Sequence, residues 1–184
     1  MAERFLRFSK GATAMPHEAY LRITGEKQGK FKGESPRSTD NDQWMEVVAF
    51  SMDLESPRDL STGQASGRRQ YKPVTVVKAW GAASPQILTA CATNEVLTQV
   101  VFQFIKTNPN GEQYVFQTVS LINAAISQVF RFMGDPETNH TPKSSPSGNT
   151  DTHELERVSL TFQKIVVEDT DGKTTFSDDW STPV

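Results

Sequence analysis

The chain has 184 residues, of which 36% are hydrophobic, and its 19 basic and 22 acidic residues give a formal net charge of −3. A chain of this length can bury about 70% of its unfolded surface, so one domain needs no disulfide or metal to hold it together. The weakly acidic balance predicts no nucleic-acid partner, and no apolar run approaches the roughly 20 residues that would insert into a membrane.

The start of the chain predicts an extension rather than a part of the domain. It is basic, and an arginine interrupts the apolar residues Phe5, Leu6 and Phe8. A secretory signal needs a continuous apolar segment, which this stretch does not have. We therefore expect an N-terminal extension over residues 1–18 and a single domain over 19–184. If the protein leaves the cell, we expect it not to use the general secretory route.

Strand patterns dominate the rest of the sequence. Short runs alternate apolar and polar side chains, and segments rich in Gly, Pro and Asn separate them. Residues 109–111, Pro-Asn-Gly, join two such runs and predict a hairpin. The predicted strands cover residues 19–24, 44–54, 71–80, 95–108, 112–121, 122–133 and 154–169.

Two of these strands are predicted to run without a break. Alternation within 44–54 places Val48, Phe50 and Met52 on one face, and 154–169 forms one long final strand. Many strands, Gly/Pro turns and a single helix predict a closed or sandwiched β-barrel.

The single helix is predicted at residues 84–92. Ser84 is expected to cap it, and Pro85 to occupy the first helical position, where a missing N–H costs nothing. A helix this short is marginal in water by itself, so it must dock on the sheets. The expected docking face contains Ile87, Leu88 and Cys91.

Residues that could carry chemistry are scattered. Cys91 lies between two alanines, and it is expected to be a small buried side chain because no base accompanies it. His17, His140 and His153 do not have zinc-binding spacing, and no phosphate-binding, dinucleotide or nucleophile-elbow motif is present. The sequence therefore predicts a binding or structural protein, not an enzyme, with no cofactor and no metal.

Five segments follow one another in an order that matches a known family. They are AYLRITGEKQGKFKGES (19–35), YKPVTVVKAWGAASPQILTACATNE (71–95), VFQFIKTNPNGEQYVFQTVSLINAAISQV (101–129), LERVSLTFQKI (155–165) and SDDW (177–180). In this order they resemble the Hcp family (hemolysin-coregulated protein), the tube protein of bacterial type VI secretion. The chain departs from the family pattern in its first residues, in the length of the 25–43 and 134–153 loops, and at Gly81, where relatives often carry an acidic residue.

The resemblance implies a mostly β fold, a closed β-barrel of two packed antiparallel sheets with one short flanking α-helix. It implies that six copies form a ring and that rings stack into a tube inside a contractile sheath, tipped by a VgrG-like spike. The tube would be expelled from the cell as a secreted structure, and small effector proteins would travel in its lumen.

The polar 55–70 segment is the best candidate for reaching a neighbouring copy. It is longer than a hairpin needs and has little apolar character beyond Leu60, so it gains little by folding onto its own domain. Charged residues in and beside it are expected to pair within the ring or between stacked rings. These candidates are Asp53, Glu55, Arg58, Asp59, Arg68 and Arg69.

Two alternatives remain open at this point. A tail tube protein of a phage or of another contractile particle would share the architecture. A monomeric β-sandwich that binds a carbohydrate or another small ligand would instead show an aromatic-lined cleft. Trp44, Trp80 and Trp180 are the only tryptophans available to line one, and their strand positions do not suggest a common platform.

Overall fold

The computed structural model describes residues 18–133 and 154–181, so the predicted N-terminal extension, except for residue 18, and the 134–153 loop lie outside the described residues. Within those two ranges the chain is mostly β-structure with one short helix, as the sequence predicts. The elements are β1 (Glu18–Gly25), β2 (Gly29–Lys30), β3 (Met45–Val47), β4 (Ala49–Ser51), β5 (Leu54–Glu55), β6 (Gln70–Tyr71), β7 (Val74–Ala79), α1 (Ser84–Thr93), β8 (Leu97–Thr107), β9 (Gln113–Met133), β10 (Glu154–Thr161), β11 (Lys164–Asp169) and β12 (Thr174–Asp179).

Strand β9 is 21 residues long and belongs to two layers. Its first part pairs with β8 and with β11, and its second part, from Ala125 onward, pairs with β10. The bend between the two parts lies at Asn123, which has a φ of 49° and donates from its side-chain amide to Gln163 Oε1 at 2.9 Å. One layer therefore runs β2-β1-β8-β9-β11-β12, and the other runs β9-β10-β7-β4.

The hydrophobic core lies between these layers. Inward-facing residues alternate along the strands of both layers, as expected for sheets that are buried on one face. Its fully buried members include Leu21, Ile23, Phe102, Leu121 and Ile165 from the first layer and Val74, Val76, Val158 and Leu160 from the second.

Two predicted strands are broken where the chain changes layers. Residues 44–54 divide into β3, which pairs with β1, and β4, which pairs with β7. Val48, between them, is 63% exposed and Met52 is also exposed, so the predicted common face is wrong and only Phe50 packs against the core. The predicted strand 154–169 divides in the same way, because β10 belongs to the second layer and β11 to the first.

The predicted hairpin between β8 and β9 is confirmed. The N–H of Asn108 donates to the carbonyl oxygen of Glu112 at 2.9 Å and closes the turn. Gly111 has a φ of 86°, in the left-handed region that glycine adopts without strain. The Asn-Gly pair therefore forms the turn between β8 and β9 that the sequence predicts.

Helix α1 begins differently from the prediction. Ser84 is its first residue rather than its cap, and the capping position is occupied by Ala83 without a side-chain hydrogen bond. The Ser84 hydroxyl instead accepts the N–H of Gly81 at 2.9 Å and donates to Glu156 Oε1 at 2.8 Å. It is therefore used to fix the helix to the sheet, and Pro85 lies in the first turn as expected.

The buried face of α1 also differs from the prediction. Ile87 and Ala90 are 0% and 1% exposed, but Leu88 is 39% exposed. Cys91, which is expected to be buried, packs against the core but is only partly buried. Buried Ala83, Ile87 and Ala90 are spaced four and three residues apart and share one side of the helix. Leu88 lies on the adjacent side, so its predicted docking role is wrong.

A buried carboxylate joins the end of α1 to the β1–β2 turn. Glu95 is 2% exposed, and its Oε1 accepts the backbone N–H groups of Lys27 and Gln28 at 2.7 and 2.8 Å. Its Oε2 accepts the side-chain amide of Gln28 at 2.8 Å. Burial acts to raise the pKa of this carboxyl, but the hydrogen bonds from Gln28 and Lys27 outweigh it and hold the pKa below its usual value.

We expect Glu95 to make the fold acid-sensitive. A group whose pKa is lower in the folded chain contributes its full stability above its unfolded pKa of 4.5, and loses it as the pH falls through the folded value. Thermal melting followed from about pH 7 to about pH 3 should show Glu95→Gln melting earlier at neutral pH, with a shallower fall below about pH 4.5. Parallel curves for the variant and the wild type would contradict this assignment.

Candidate functional site

Within residues 18–133 and 154–181, a hairpin projects from the end of the second layer. We call residues 54–71 the finger. Its strands β5 and β6 pair at the base. Further out, the N–H of Ser66 donates to the carbonyl oxygen of Pro57 at 3.0 Å, and Arg58 and Ala65 form a β-bridge. Every residue from 58 to 68 is exposed, so this outer part of the finger is held by hydrogen bonds within the finger.

The tip of the finger is organised around one carboxylate. Asp59 Oδ1 accepts hydrogen bonds from the hydroxyl and backbone N–H groups of both Ser61 and Thr62, at 2.6 to 3.0 Å. These hydrogen bonds, the one from the Ser61 hydroxyl first, lower the pKa of Asp59 to about 2. Gly63 completes the turn with a φ of 70°, and Leu60 is left 104% exposed at the end.

The base of the finger is held by the last strand. The Arg69 guanidinium makes two hydrogen bonds to the Asp178 carboxylate of β12, which also accepts the Tyr71 hydroxyl at 2.8 Å. The Arg69 hydrogen bond lowers the pKa of Asp178, whereas burial and the hydrogen bond to Asp178 raise that of Tyr71 to about 12. The Tyr71 ring packs edge-on against Phe162 and Trp180, so both polar and aromatic contacts hold the base of the finger on the domain.

The six charged residues predicted to meet other copies fall into two groups. Two of them are paired within the chain, because Arg69 binds Asp178 and Asp53 forms an ion pair with Lys72. The other four remain on the exposed surface of the finger, although two have contacts inside it: Arg58 donates to the carbonyl oxygen of Gly63, and Asp59 organises the tip. These four are Glu55, Arg58, Asp59 and Arg68.

A cavity of about 220 Å³ lies at the start of α1. Glu34 reaches across its rim, and Glu34 Oε1 accepts the N–H of Ala82 at 2.6 Å. Gly81 makes this approach possible, because a Cβ there would lie 2.2 Å from Glu34 Oε2. The cavity is lined by Lys32, Glu34, Ser35, Met45, Glu46, Lys78, Ala79, Trp80, Gly81, Ala82 and Ala83.

A buried ionic cluster supports the wall of this cavity. Lys78 Nζ donates to Glu156 Oε1 at 2.9 Å and to the carbonyl oxygen of Ala79 at 2.7 Å, and the Lys78 and Glu156 side chains are 4% and 0% exposed. Glu156 Oε2 accepts no hydrogen bond but lies 3.5 Å from Arg131 Nε. The Arg131 guanidinium stacks 4.0 Å from the Trp80 ring centre, which closes the cluster toward solvent.

Sequence analysis missed this cluster, although its signal was present. Glu156 lies two positions before the buried Val158 in β10, and Lys78 lies two positions after the buried Val76 in β7. In a strand, side chains two positions apart face the same side, so the alternation indicates that both charges point into the interior. Two opposite charges at inward positions of two strands are therefore a sign of a buried ion pair.

The described residues offer little for a ligand site of another kind. Trp44 is buried against Tyr20, Val101 and Ile105. Trp80 stacks on Arg131 and Trp180 packs on Tyr71, so the tryptophans lie in three separate places. Within 18–133 and 154–181, no three His, Cys, Asp or Glu side chains are grouped to hold a metal ion. No helix in that part of the chain is long and apolar enough to cross a membrane. The three histidines lie outside the described residues.

Comparison with known proteins gives a consistent result. Residues 20–168 match the family model described as the type VI secretion system effector Hcp. The chain is 33% identical over 179 residues to the major exported protein of Pseudomonas aeruginosa, a match that covers 92% of this chain and 99% of that protein.

Solved structures agree with the sequence matches. A crystal structure of an Hcp protein superposes with a TM-score of 0.77 at 27% identity, covering 91% of this chain and 100% of the other. The secreted protein Hcp3 from Pseudomonas aeruginosa superposes with a TM-score of 0.67 at 27% identity and the same coverage. The mostly β fold with one short helix is therefore the Hcp fold. The chain belongs to the Hcp family, the tube proteins of type VI secretion.

Proposed function

We propose that six copies of this chain form a ring and that the rings stack into the tube of a type VI secretion apparatus. The tube would lie inside a contractile sheath, behind a VgrG-like spike, and would carry small effector proteins in its lumen. Membership of the Hcp family supports the proposal. The observation that carries the assembly is the finger, an ordered hairpin whose residues 58–68 are all exposed.

The proposal includes closure of the sheet into a barrel. The strand order leaves β1 near one end of the path and β4 at the other. The consecutive strands β3 and β4 pair with β1 and with β7, so the chain through Val48 connects the two ends covalently. Closure at this point would remove free edges between the layers, which favours a discrete subunit over uncontrolled strand pairing.

The remaining parts of the proposal concern the chain as a secreted structural subunit. Family membership and the exported relative indicate a secreted protein with a structural role. We propose that it is made in the bacterial cytoplasm without a signal peptide and acts without catalysis. The division into an extension over 1–18 and one domain over 19–184 is part of the same proposal.

The test is removal of the finger. We expect that deletion of residues 58–68 leaves the fold intact, because those residues are exposed and hydrogen-bonded mainly among themselves. Assembly should weaken, since each copy then lacks the exposed part of the finger with which to reach a neighbour. Circular dichroism measures the fold, and native mass spectrometry with sedimentation velocity measures rings and stacks.

A matched control shortens a different exposed turn. Replacing residues 109–111 of the β8–β9 turn by a two-residue Asn-Gly turn changes the surface at another hairpin. This variant should assemble like the wild type. A finger deletion that assembles and is secreted normally would contradict the role proposed for the finger, and a wild-type chain that stays monomeric would contradict the ring.

A further inference from the structure

The cavity at the start of α1 lies in a gap between two strands. Within residues 18–133 and 154–181, β3 pairs only with β1, whereas β4 pairs with β7. The N–H of Val48 still donates to the carbonyl oxygen of Val77 at 2.8 Å, and from there toward its start β3 leaves β7. Met45 and Glu46 of β3 therefore line one side of the cavity, and the end of β7 with Trp80 lines the other.

A second depression connects this gap to the start of β1. It has a volume of about 250 Å³ and shares Glu46 with the cavity, so the two depressions adjoin. Val48, beside it, is 63% exposed, and Trp80, in the cavity, is 39% exposed. The residues that line the second depression are Glu18, Ala19, Tyr20, Glu46 and Val47. The two depressions therefore form a path that begins at Glu18 and leaves apolar side chains uncovered.

Residues 1–17, which lie outside the described residues, join the domain at the beginning of this path. Leu21 pairs with Met45, so the cavity edge lies about 10 Å along β1 from Glu18. Residues 9–17 can span up to about 30 Å. Residues 4–8 of a chain can therefore reach the cavity of the same chain.

The composition of this segment matches the path. Residues 4–8 read Arg-Phe-Leu-Arg-Phe, three large apolar side chains between and beside two arginines. In all, residues 1–17 carry three basic side chains, Arg4, Arg7 and Lys10, against the acidic Glu3. Apolar groups can cover the exposed valine and tryptophan of the path while the arginines stay near the surface.

The charges of the path are of the opposite sign. Its acidic side chains are Glu18, Glu34 and Glu46. Lys32 opposes them, while Lys78 is already paired with a buried carboxylate. The size of the cavity also favours a peptide side chain, because about 220 Å³ is less than the roughly 300–1,000 Å³ of most small-molecule sites.

We propose that residues 4–8 fold back along this path in their own chain and close the gap between β3 and β7. Phe5, Leu6 and Phe8 cover Val48 and Trp80 and fill the cavity, and Arg7 faces Glu46. The segment then joins the start of β1 to β7 and to the start of α1. This docking uses a surface of one chain and does not depend on the ring.

A disulfide tests the docking directly. In a Cys91→Ser background, Ser9→Cys places a thiol next to Phe8, and Ala82→Cys places one at an exposed position of the cavity rim. Oxidised glutathione should join the two within one chain, giving a product of monomer size that loses both thiols. Disulfides mainly between chains would overturn the proposal and make a second copy the donor of the segment.

A matched control keeps the tether and removes the apolar side chains. Phe5→Ser, Leu6→Ser and Phe8→Ser are combined with the same two cysteines, so the number of residues between the thiols is unchanged. Crosslinking should slow by about tenfold or more, because burial of even one such side chain is worth that factor. Equal rates with and without the apolar side chains would overturn the proposal, since a tether alone would then explain the crosslink.

Charge reversal tests the orientation of the segment. Arg7→Glu or Glu46→Arg alone should slow the crosslinking of positions 9 and 82 by about twofold to fivefold, and the combination should restore it. The effect should shrink at high salt, because exposed charges are screened there. If the combined variant crosslinks no faster than either single one, Arg7 does not face Glu46 and the proposed orientation is wrong.

Discussion

Glu156→Ala is expected to lower the free energy of unfolding by about 3–5 kcal/mol, because the substitution leaves the buried Lys78 ammonium without its carboxylate. It also removes the acceptor of the Ser84 hydroxyl, which fixes the start of α1 to the sheet. A domain of this size typically has about 5–15 kcal/mol of stability, so this loss is a large share of the total. Urea denaturation followed by circular dichroism measures the change.

A double variant shows whether the cost comes from the unpaired charge. Lys78→Met combined with Glu156→Leu removes both charges and keeps apolar volume at both positions. We expect it to be more stable than Glu156→Ala, because an apolar pair can replace a buried ion pair at little cost. Lys78→Met and Glu156→Leu are also measured singly. If their separate losses in the free energy of unfolding add up to the loss of the double variant, Lys78 and Glu156 do not interact.

This cluster connects the interior of the domain to the cavity at the start of α1. Lys78 lies in the cavity wall, and Ser84, which donates to Glu156, begins the helix just beyond the rim. Glu156 therefore sets the position of two elements that border the cavity.

The strands were predictable from the sequence because each layer is buried on one face. Period-two alternation identified β1 and β8, and it predicted the single strand β9 as two runs, 112–121 and 122–133. The Asn-Gly pair correctly predicted the turn between β8 and β9. The same alternation continued through Val48 and so concealed the break between β3 and β4. A change of layer is set by what the strand pairs with, and local pattern does not contain that information.

The candidate site was predictable only in part. The 55–70 segment was recognised by its polarity and length, but its order comes from hydrogen bonds such as those of Asp59. The anchor of the finger joins Arg69 to Asp178, which are 109 positions apart, so no local pattern indicates it. The cavity is formed by β3, β7 and the 25–43 loop together, and it exists only in the folded chain.

The helix face could not be predicted because α1 is short and nearly every position between Ile87 and Ala92 is apolar or small. Such a sequence has no polar stripe to mark the solvent side. Only the folded structure shows which of the adjacent Ile87 and Leu88, of similar volume, faces the core. Ile87 is 0% exposed, whereas Leu88 is 39% exposed.

Ile87→Ala should lower the free energy of unfolding by about 2–5 kcal/mol, because it empties a filled position between α1 and β9. Leu88→Ala should change it by about 0.5 kcal/mol or less, as exposed substitutions usually do. Thermal and urea denaturation of the two variants give the comparison at matched chemistry. Equal losses would mean that α1 docks through both residues, against the burial of Ile87 and the exposure of Leu88.

If Leu88→Ala melts normally but weakens ring assembly, the exposed side of α1 faces a neighbouring subunit. One side of the helix would then stabilise the fold, and the other would contact the neighbouring subunit in the tube.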